Sequence, residues 1–200
     1  MAQPTRVART QGERSAAMQR RLLDATVSAL CEKGYGGTTT LEVQQRAGVS
    51  RGALLHHYAS RADLMVAAVE HLSRERVAEV LAITRSAPPA SRRLEWAVRV
   101  LWTTFEGPLF TAALELWLAA RNDAELLAAL VPQERILGQA IRSMAADLFG
   151  SAALSEQFGE ALELLLDAMR GASARAVLRS ETGDERLLAL WTSFMKDRLN

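Results

Sequence analysis

Residues 38–64, TTTLEVQQRAGVSRGALLHHYASRADL, decide the fold because they predict short helices separated by tight turns. Thr39 and Glu42 have the three-residue spacing of a capping box, so a helix is expected to begin after Thr39. Gly48 can adopt the left-handed conformation that ends this helix, and Ser50 can cap the next one. The side chains at the turn are small, which lets the two helices approach closely. The stretch therefore predicts a helix-turn-helix.

The remainder of the chain is also predicted to be helical. Apolar residues recur every three or four positions, and Val, Ile and Thr are too sparse for a sheet. Asn122 and Glu125 are spaced as a capping pair, and Pro132 is expected to kink or restart its helix. We therefore predict an all-α fold of about nine helices. Besides the helix-turn-helix and a first helix ending at Gly34, helices are expected over residues 60–85, 92–105, 109–121, 123–150, 156–178 and 184–198.

Charge divides the chain into two parts. Residues 1–62 carry nine Lys or Arg against four Asp or Glu, whereas residues 63–200 carry fifteen against nineteen. A basic N-terminal part followed by a mildly acidic C-terminal part is typical of a protein whose N-terminal part binds a polyanion. A solvated basic face has the same composition. We expect a flexible basic tail over residues 1–14, a DNA-binding domain over 15–62, and a larger helical regulatory and dimerisation domain over 63–200. The tail is expected either to enter a minor groove or to be disordered.

Composition excludes several classes of protein. No apolar run approaches the roughly 18–20 residues that span a bilayer, and the first residues show no secretory signal. Cys31 is the single cysteine, so no disulfide can form within the chain, which fits the reducing cytosol. Three His and one Cys, with no Gly-rich phosphate loop, assemble no metal site or catalytic set. We predict a cytoplasmic protein that is not an enzyme, contacts no membrane and takes no cofactor or metal.

Residues of the third helix are the candidates for DNA contact. Arg51, His56 and His57 are expected to project outward from it, while Gly52 bares backbone N–H groups at a helix N-terminus, which suits a phosphate. Thr40, in the first turn of the second helix, can add a hydroxyl. The apolar residues Leu41, Val43, Ala47, Val49 and Leu54 are expected to pack these two helices onto the first helix.

Ser60 and Asp63 form another capping pair, which opens the fourth helix. Arg61 then lies in its first turn, where a positive charge opposes the helix dipole. A bound phosphate would remove that conflict, so Arg61 is expected to anchor the DNA backbone.

The run from Thr38 to Leu64 resembles the TetR/AcrR-type helix-turn-helix transcriptional regulators. The resemblance rests on the AGVS-x-G motif at residues 47–52 and the S-R-x-D-L motif at residues 60–64. It covers Ser15 to about residue 72. It implies a family-type domain extending to about residue 77 and a DNA interface formed by Thr40, Ser50, Arg51, Gly52, His56, His57 and Arg61.

Two residues depart from the family pattern. Gln44 stands where a small Ala is usual, and Leu55 stands where a Tyr usually reaches a phosphate. Leu55 therefore loses a hydrogen bond, although it can still meet a thymine methyl group. The alternative interpretation of His56 and His57 is that they are surface residues without a partner. They are not expected to share a metal, because neighbouring residues diverge by about 100° around a helix.

A homodimer is expected on physical grounds, because so short a recognition helix touches few base pairs. Each good bidentate contact discriminates by only about 1–3 kcal/mol, whereas two copies on a palindrome can select a site. Related regulators dimerise through their last two long helices, and two apolar stripes there are either a dimer seam or intramolecular core. The stripes comprise Phe158, Leu162, Leu165, Met169, Ala172 and Ala176, and then Leu187, Leu190, Trp191 and Phe194.

The resemblance also implies a small-molecule inducer, held between the DNA-binding domain and the dimer seam. Aromatic residues concentrate in residues 96–117 and form either a pocket or a filled core. The candidate lining is Trp96, Trp102, Phe105, Phe110, Trp117 and Met144, with Glu115 and Arg121 to orient a polar group or to pair with each other or with solvent.

The expected function is a sequence-specific regulator of transcription, a repressor released from a palindromic operator in double-stranded DNA by a ligand. The alternatives are an activator, a ligand-binding relative with weak DNA binding, and a non-specific DNA compactor.

Overall fold

The computed structural model describes residues 10–176 and 184–199. Most of the tail expected over residues 1–14, the predicted helix end at Leu178 and the break at residues 182–183 lie outside these ranges. The side chain of Asp184 is likewise outside the description.

The described residues form nine α-helices and no strand, so the all-α prediction is confirmed. Two 3-10 turns, Thr103–Phe105 and Gly150–Leu154, follow the fifth and seventh helices. The helices are α1 (Gln11–Gly37), α2 (Thr40–Ala47), α3 (Arg51–His57), α4 (Arg61–Thr84), α5 (Ala90–Trp102), α6 (Pro108–Ala120), α7 (Ala124–Phe149), α8 (Phe158–Ala174) and α9 (Asp184–Leu199).

Capping side chains set several helix starts. The Ser60 hydroxyl oxygen accepts the Asp63 N–H, and the Asp63 carboxylate accepts the Ser60 N–H, which completes the predicted capping box of α4. Thr10 and Glu13 form an equivalent box at the start of α1, so helix begins inside the segment expected to be a flexible tail. The sequence contained this signal, because Thr10 and Glu13 have the same three-residue spacing.

Two other details of the helix prediction were wrong. Asp123, rather than Asn122, caps α7, because its carboxylate accepts the Leu126 N–H at 2.9 Å. Pro132 lies inside α7 without interrupting it. Gly34 interrupts the first helix as predicted: its φ of 65° and ψ of 178° are not helical, and one further turn follows this kink up to Gly37.

Three apolar clusters hold the helices together. The first lies under α1, α2 and α3 and is centred on Leu22, Val43 and Leu54. The second joins α1 and α4 to α6 and α7, and the third joins α5, α7, α8 and α9. Because α4 contributes to all three clusters, it connects the N-terminal helices to the rest of the chain.

Within residues 10–176 and 184–199, no helix combines the length and the apolar character that crossing a membrane requires.

Candidate nucleic-acid interface and ligand cavity

The turn between α2 and α3 gives the N-terminal helices a fixed outward face. Gly48 ends α2 with φ 62° and ψ 43°, a left-handed conformation that favours glycine. The Ser50 hydroxyl oxygen then accepts the Ala53 N–H at 3.2 Å and starts α3. Val43 and Leu54 are fully or almost fully buried beneath the turn. Because these two anchors fix the rotation of α2 and α3, the opposite sides of both helices face solvent.

The predicted contact residues of α3 lie on that face. Arg51, Gly52 and His56 are exposed, and His57 is half-buried, with its ring 5.4 Å from that of His56. A side chain added at Gly52 would meet nothing within 4 Å, so the fold itself leaves this position open. Among the described residues, no three His, Cys, Asp or Glu side chains are grouped to hold a metal ion.

The remaining positions on this face include two exposed leucines. Leu55 is 50% exposed on α3, and Leu41 is 61% exposed on α2. The expectation that Leu41 packs onto the first helix was wrong, because α2 turns Val43 rather than Leu41 inward. Thr40 is half-buried, and the exposed Ser50 hydroxyl already serves as the cap of α3.

An ion-pair network fixes α2 against α1. The Arg46 guanidinium donates to both carboxylate oxygens of Glu32, at 2.8 and 2.7 Å, and to Glu42 at 2.9 Å. Lys33 lies 2.8 Å from the other oxygen of Glu42. The hydrogen bonds from Arg46, with a smaller contribution from Ser28, lower the pKa of Glu32 to about 2. The network therefore holds the orientation of α2 against the second half of α1.

Arg61 is placed differently from the expected phosphate anchor. Its guanidinium donates to the Thr38 carbonyl at 2.8 Å and to the Tyr35 carbonyl, and it stacks 4.0 Å from the centre of the Tyr35 ring. These contacts satisfy carbonyl groups at the end of α1, which a helix terminus leaves without intrahelical partners. Arg61 thus ties α4 to the connection between α1 and α2 within the protein.

The end of α1 is also bound to the helices that follow α4. Glu115 on α6 accepts the Tyr35 backbone N–H at 3.1 Å, and the Tyr35 hydroxyl donates to Asp123 at 2.7 Å. Burial, followed by the hydrogen bond to Asp123, raises the pKa of Tyr35 to about 12. Glu115 was expected in a ligand pocket. It faces α1 instead, because α6 packs along α1 on the side that carries this carboxylate.

A cavity of about 430 Å³ lies between α4, α6, α7 and α8. Four of the eight predicted lining residues contribute to it: Phe105, Phe110, Trp117 and Met144.

Four predicted lining residues are placed elsewhere. Trp102 is buried against Trp191, with ring centroids 5.1 Å apart, and Trp96 packs on the same core cluster. Arg121 is exposed beyond the end of α6, and Glu115 contacts α1 as described above.

The cavity also has charged lining residues that the sequence analysis missed. They lie on α4, α7 and α8, at helix positions that alternate with apolar lining residues, and such a pattern can be recognised only when the cavity is known. The Trp117 indole N–H donates to the Glu134 carboxylate at 2.9 Å. The charged lining residues are Arg76, Glu134, Arg135, Arg142 and Arg170.

The stripe predicted as a dimer seam on α8 is intramolecular core. Its first five members, Phe158, Leu162, Leu165, Met169 and Ala172, are between 0% and 8% exposed in the isolated chain, whereas Ala176 is exposed. On α9 Trp191 is buried, Leu187 and Phe194 are half-buried, and Leu190 is exposed. The five buried members of the α8 stripe therefore follow the core interpretation, and the sequence left this open because periodicity identifies an apolar face but not the element that covers it.

Comparison with known proteins supports this architecture. Residues 22–68 match the family described as bacterial regulatory proteins, tetR family. A helix-turn-helix-type transcriptional regulator of Mycobacterium tuberculosis is 28% identical over 194 residues, which cover 94% of this chain and 98% of that protein.

Two solved structures show the same fold. A TetR transcription regulator from Haloarcula marismortui has a TM-score of 0.74 at 21% identity, covering 92% of this chain and 100% of that one. The multidrug binding protein EbrR, complexed with ethidium, has a TM-score of 0.64 at 24% identity, covering 88% of this chain and 97% of that one. At these identities the two structures show the fold alone.

The helix-turn-helix scaffold, with its exposed α3 and its regulator relatives, defines the class: the chain is a DNA-binding transcriptional regulator. Its N-terminal helices carry the family pattern over residues 22–68. Over those residues the chain is similar to the tetR family of bacterial regulatory proteins.

Proposed function

We propose that the protein is a cytoplasmic repressor that binds a palindromic operator as a homodimer and leaves it when a small molecule occupies the cavity. When bound to DNA it is associated with the nucleoid. The single observation that carries the DNA-binding role is the exposed face of α3, whose rotation is held by buried Leu54 and by the Ser50 cap. Because this face is held rigidly, it loses little conformational entropy when it docks in a major groove.

The proposed interface consists of exposed or half-buried groups of α2 and α3. Arg51 and His56 are the side chains best placed to reach base edges or phosphates, since both are exposed on the outer side of α3. Leu55 and Leu41 supply apolar surface suited to thymine methyl groups. Arg61 supports this interface indirectly through its bonds to Tyr35 and Thr38. The proposed contact set is therefore Thr40, Ser50, Arg51, Gly52, His56 and His57, without Arg61.

Selection of bound sequences from a random duplex pool tests the DNA-binding role. We expect a palindromic consensus with half-sites about one helical turn apart. Arg51→Ala should weaken binding to that consensus by about 10-fold or more, since a base contact is worth about 1–3 kcal/mol. Arg92→Ala, an exposed arginine at the start of α5, is the matched control and should leave affinity unchanged. Equal enrichment of all sequences would contradict the proposal.

The dimer surface is proposed on the outer sides of α8 and α9, because their inner sides are occupied by core. On α8, Leu164 is 56% exposed, and Ala168 and Gly171 continue the same exposed side at helical spacing. On α9, Leu190 is also 56% exposed. Small residues between the two leucines would let a partner helix approach closely, and two helices from each copy would form a four-helix contact.

Sedimentation of two matched variants tests this surface. Leu164→Glu should weaken the dimer by about 100-fold or more, because it would place charges in an apolar interface. Leu118→Glu, on α6, changes an equally exposed leucine and should leave the dimer intact. A monomeric wild-type protein, or a Leu164→Glu protein that dimerises as the wild type does, would refute the assignment.

Release by a ligand is supported by the position of the cavity. Its volume of about 430 Å³ lies within the roughly 300–1,000 Å³ typical of ligand pockets. Helix α6 carries Trp117 in the cavity wall and, two residues earlier, Glu115 bound to the end of α1. A ligand that shifts α6 or α4 therefore acts on the elements that position α2 and α3. The differential affinity required is about 1–3 kcal/mol, typical of allosteric coupling.

A further inference from the structure

The cavity wall has a chemical character that selects among ligand classes, and the following inference rests on the proposed ligand-released function. Its apolar part is a continuous row of aromatic rings. Phe105 and Phe110 have centroids 5.7 Å apart, and Phe110 and Trp117 have centroids 6.1 Å apart, both in edge-to-face arrangements. Such a row offers apolar surface to an aromatic or extended aliphatic body.

The charged part of the wall is predominantly cationic. Arg76, Arg135, Arg142 and Arg170 line the cavity, against the single carboxylate of Glu134. That carboxylate is already engaged by the Trp117 indole N–H at 2.9 Å, which holds it against the wall. The formal charge of the lining therefore favours an anion over a cation.

Arg170 is the guanidinium best placed to meet a ligand on the aromatic row. It lies 6.0 Å from the centre of the Trp117 ring, and only one of its nitrogens, Nη1, is used by Asp167, at 2.7 Å. The other nitrogens retain N–H donors in a geometry that matches a carboxylate. Asp167 is 72% exposed, and an ion pair with so exposed a partner is weak, so Arg170 can exchange it for a ligand.

Arg142 provides a second donor at the rim. Its guanidinium folds back over Gly138, where an added Cβ would lie 3.6 Å from both terminal nitrogens. Glu163, which pairs with it at 3.0 Å, is half-exposed. Arg76 is committed to Glu79 and Thr103, and Arg135 makes no ion pair within the described residues. Arg170, Arg142 and the exposed Arg135 thus have donors available for a bound anion, and Arg170 is the one that lies beside the aromatic row.

We propose that the cavity takes an amphipathic organic anion, an aromatic or aliphatic carboxylate or sulfonate. Its apolar body lies on the row of Phe105, Phe110 and Trp117, and its charged end binds Arg170 with help from Arg142. This class is opposite in charge to ethidium, the ligand of the similarly folded EbrR.

Three fluorescent probes of related shape test the assignment. 1-Anilinonaphthalene-8-sulfonate is the anion, N-phenyl-1-naphthylamine is the same skeleton without the sulfonate, and ethidium is the cation. We expect the full-length protein to bind the sulfonate at least about 10-fold more tightly than either of the others, the ratio that one charge-assisted contact provides. Equal or tighter binding of the uncharged amine or of ethidium would overturn the proposal.

Variants separate specific binding from adsorption to apolar surface. Arg170→Gln should weaken sulfonate binding by about 10-fold while leaving the uncharged amine unchanged, and Arg170→Lys should restore part of the loss. Arg92→Gln, outside the cavity, should behave as the wild type. Sulfonate affinity that is unchanged in both Arg170→Gln and Arg142→Gln would refute the assignment of the charged end.

A gel shift with the selected operator distinguishes this inference from the proposed function. Sulfonate binding that depends on Arg170 but leaves operator affinity unchanged supports the anion site and refutes ligand release. Release by ethidium but not by the sulfonate supports ligand release and refutes the anion site.

Discussion

Gly34 is the position at which one methyl group should disturb the connection between α1 and the rest of the molecule. Its φ of 65° and ψ of 178° lie in a region that is essentially restricted to glycine. A Cβ built there would lie 2.7 Å from Oε2 of Glu115, the same oxygen that accepts the Tyr35 N–H. Gly34→Ala therefore strains the backbone and displaces a hydrogen-bond acceptor.

The two effects can be given magnitudes. The backbone strain costs about 1–3 kcal/mol, and weakening a hydrogen bond to a charged acceptor adds about 1 kcal/mol or more. We expect Gly34→Ala to lower the free energy of unfolding by about 2–4 kcal/mol, which for a chain of this size lowers Tm by about 5–15 °C. Urea unfolding followed by circular dichroism at 222 nm measures the first quantity, and thermal unfolding measures the second.

Gly36→Ala is the matched control, because Gly36 lies two residues further along the same helix. It has no positive φ, and an added Cβ there would meet nothing within 4 Å. We expect it to be neutral or to stabilise the protein by up to about 1 kcal/mol. A Gly34→Ala protein no less stable than Gly36→Ala would refute both the strain and the contact.

A double-mutant cycle with Glu115→Ala separates the two contributions. Removing the carboxylate leaves the backbone strain and abolishes the contact, so Gly34→Ala should cost about 1 kcal/mol less in the Glu115→Ala background. An identical cost in both backgrounds would show that the carboxylate does not resist the added methyl group.

Two further predictions concern the side chains that hold α2 and α4. The pKa of Glu32 is lowered to about 2 by Arg46, so its contribution to stability is present above its ordinary pKa of 4.5 and is lost as the pH falls from there towards 2. Glu32→Gln should therefore flatten the loss of stability measured by urea unfolding over that interval, and an unchanged acid profile would contradict this. Arg61→Gln should lower the free energy of unfolding by about 1–3 kcal/mol through its lost carbonyl contacts, yet leave the salt dependence of operator binding unchanged. If Arg51 contacts a phosphate, Arg51→Gln should reduce the slope of log affinity against log salt by about 1, and a similar change in Arg61→Gln would identify Arg61 as a phosphate contact after all.

Much of the helix-turn-helix could be predicted because its determinants act over short distances. A Ser or Thr hydroxyl satisfies an N–H three residues ahead, and a glycine ends a helix wherever a left-handed residue is needed. Ser50, Gly48 and the box of Ser60 with Asp63 therefore have the roles that their spacing indicates. The Arg46 network could not be foreseen, because it depends on how α2 crosses α1.

The candidate site was predicted less completely, since its parts come from distant segments. Four of the expected aromatic and methionine residues line the cavity, but the arginines that define its charge come from α4, α7 and α8. Trp102 was an equally good candidate from its neighbours in sequence. Its burial against Trp191 follows from the packing of α5 on α9.

By itself, the sequence determined the helical fold, the helix-turn-helix and the side chains that α3 offers to solvent, because capping and periodicity are properties of adjacent turns. Only the tertiary structure decided which face of α8 is core, that Glu115 binds α1 and that Arg61 binds carbonyl groups at the end of α1. The physical reason is that an apolar stripe or a charged side chain sets a requirement for burial or pairing. Which partner meets that requirement depends on how the helices pack.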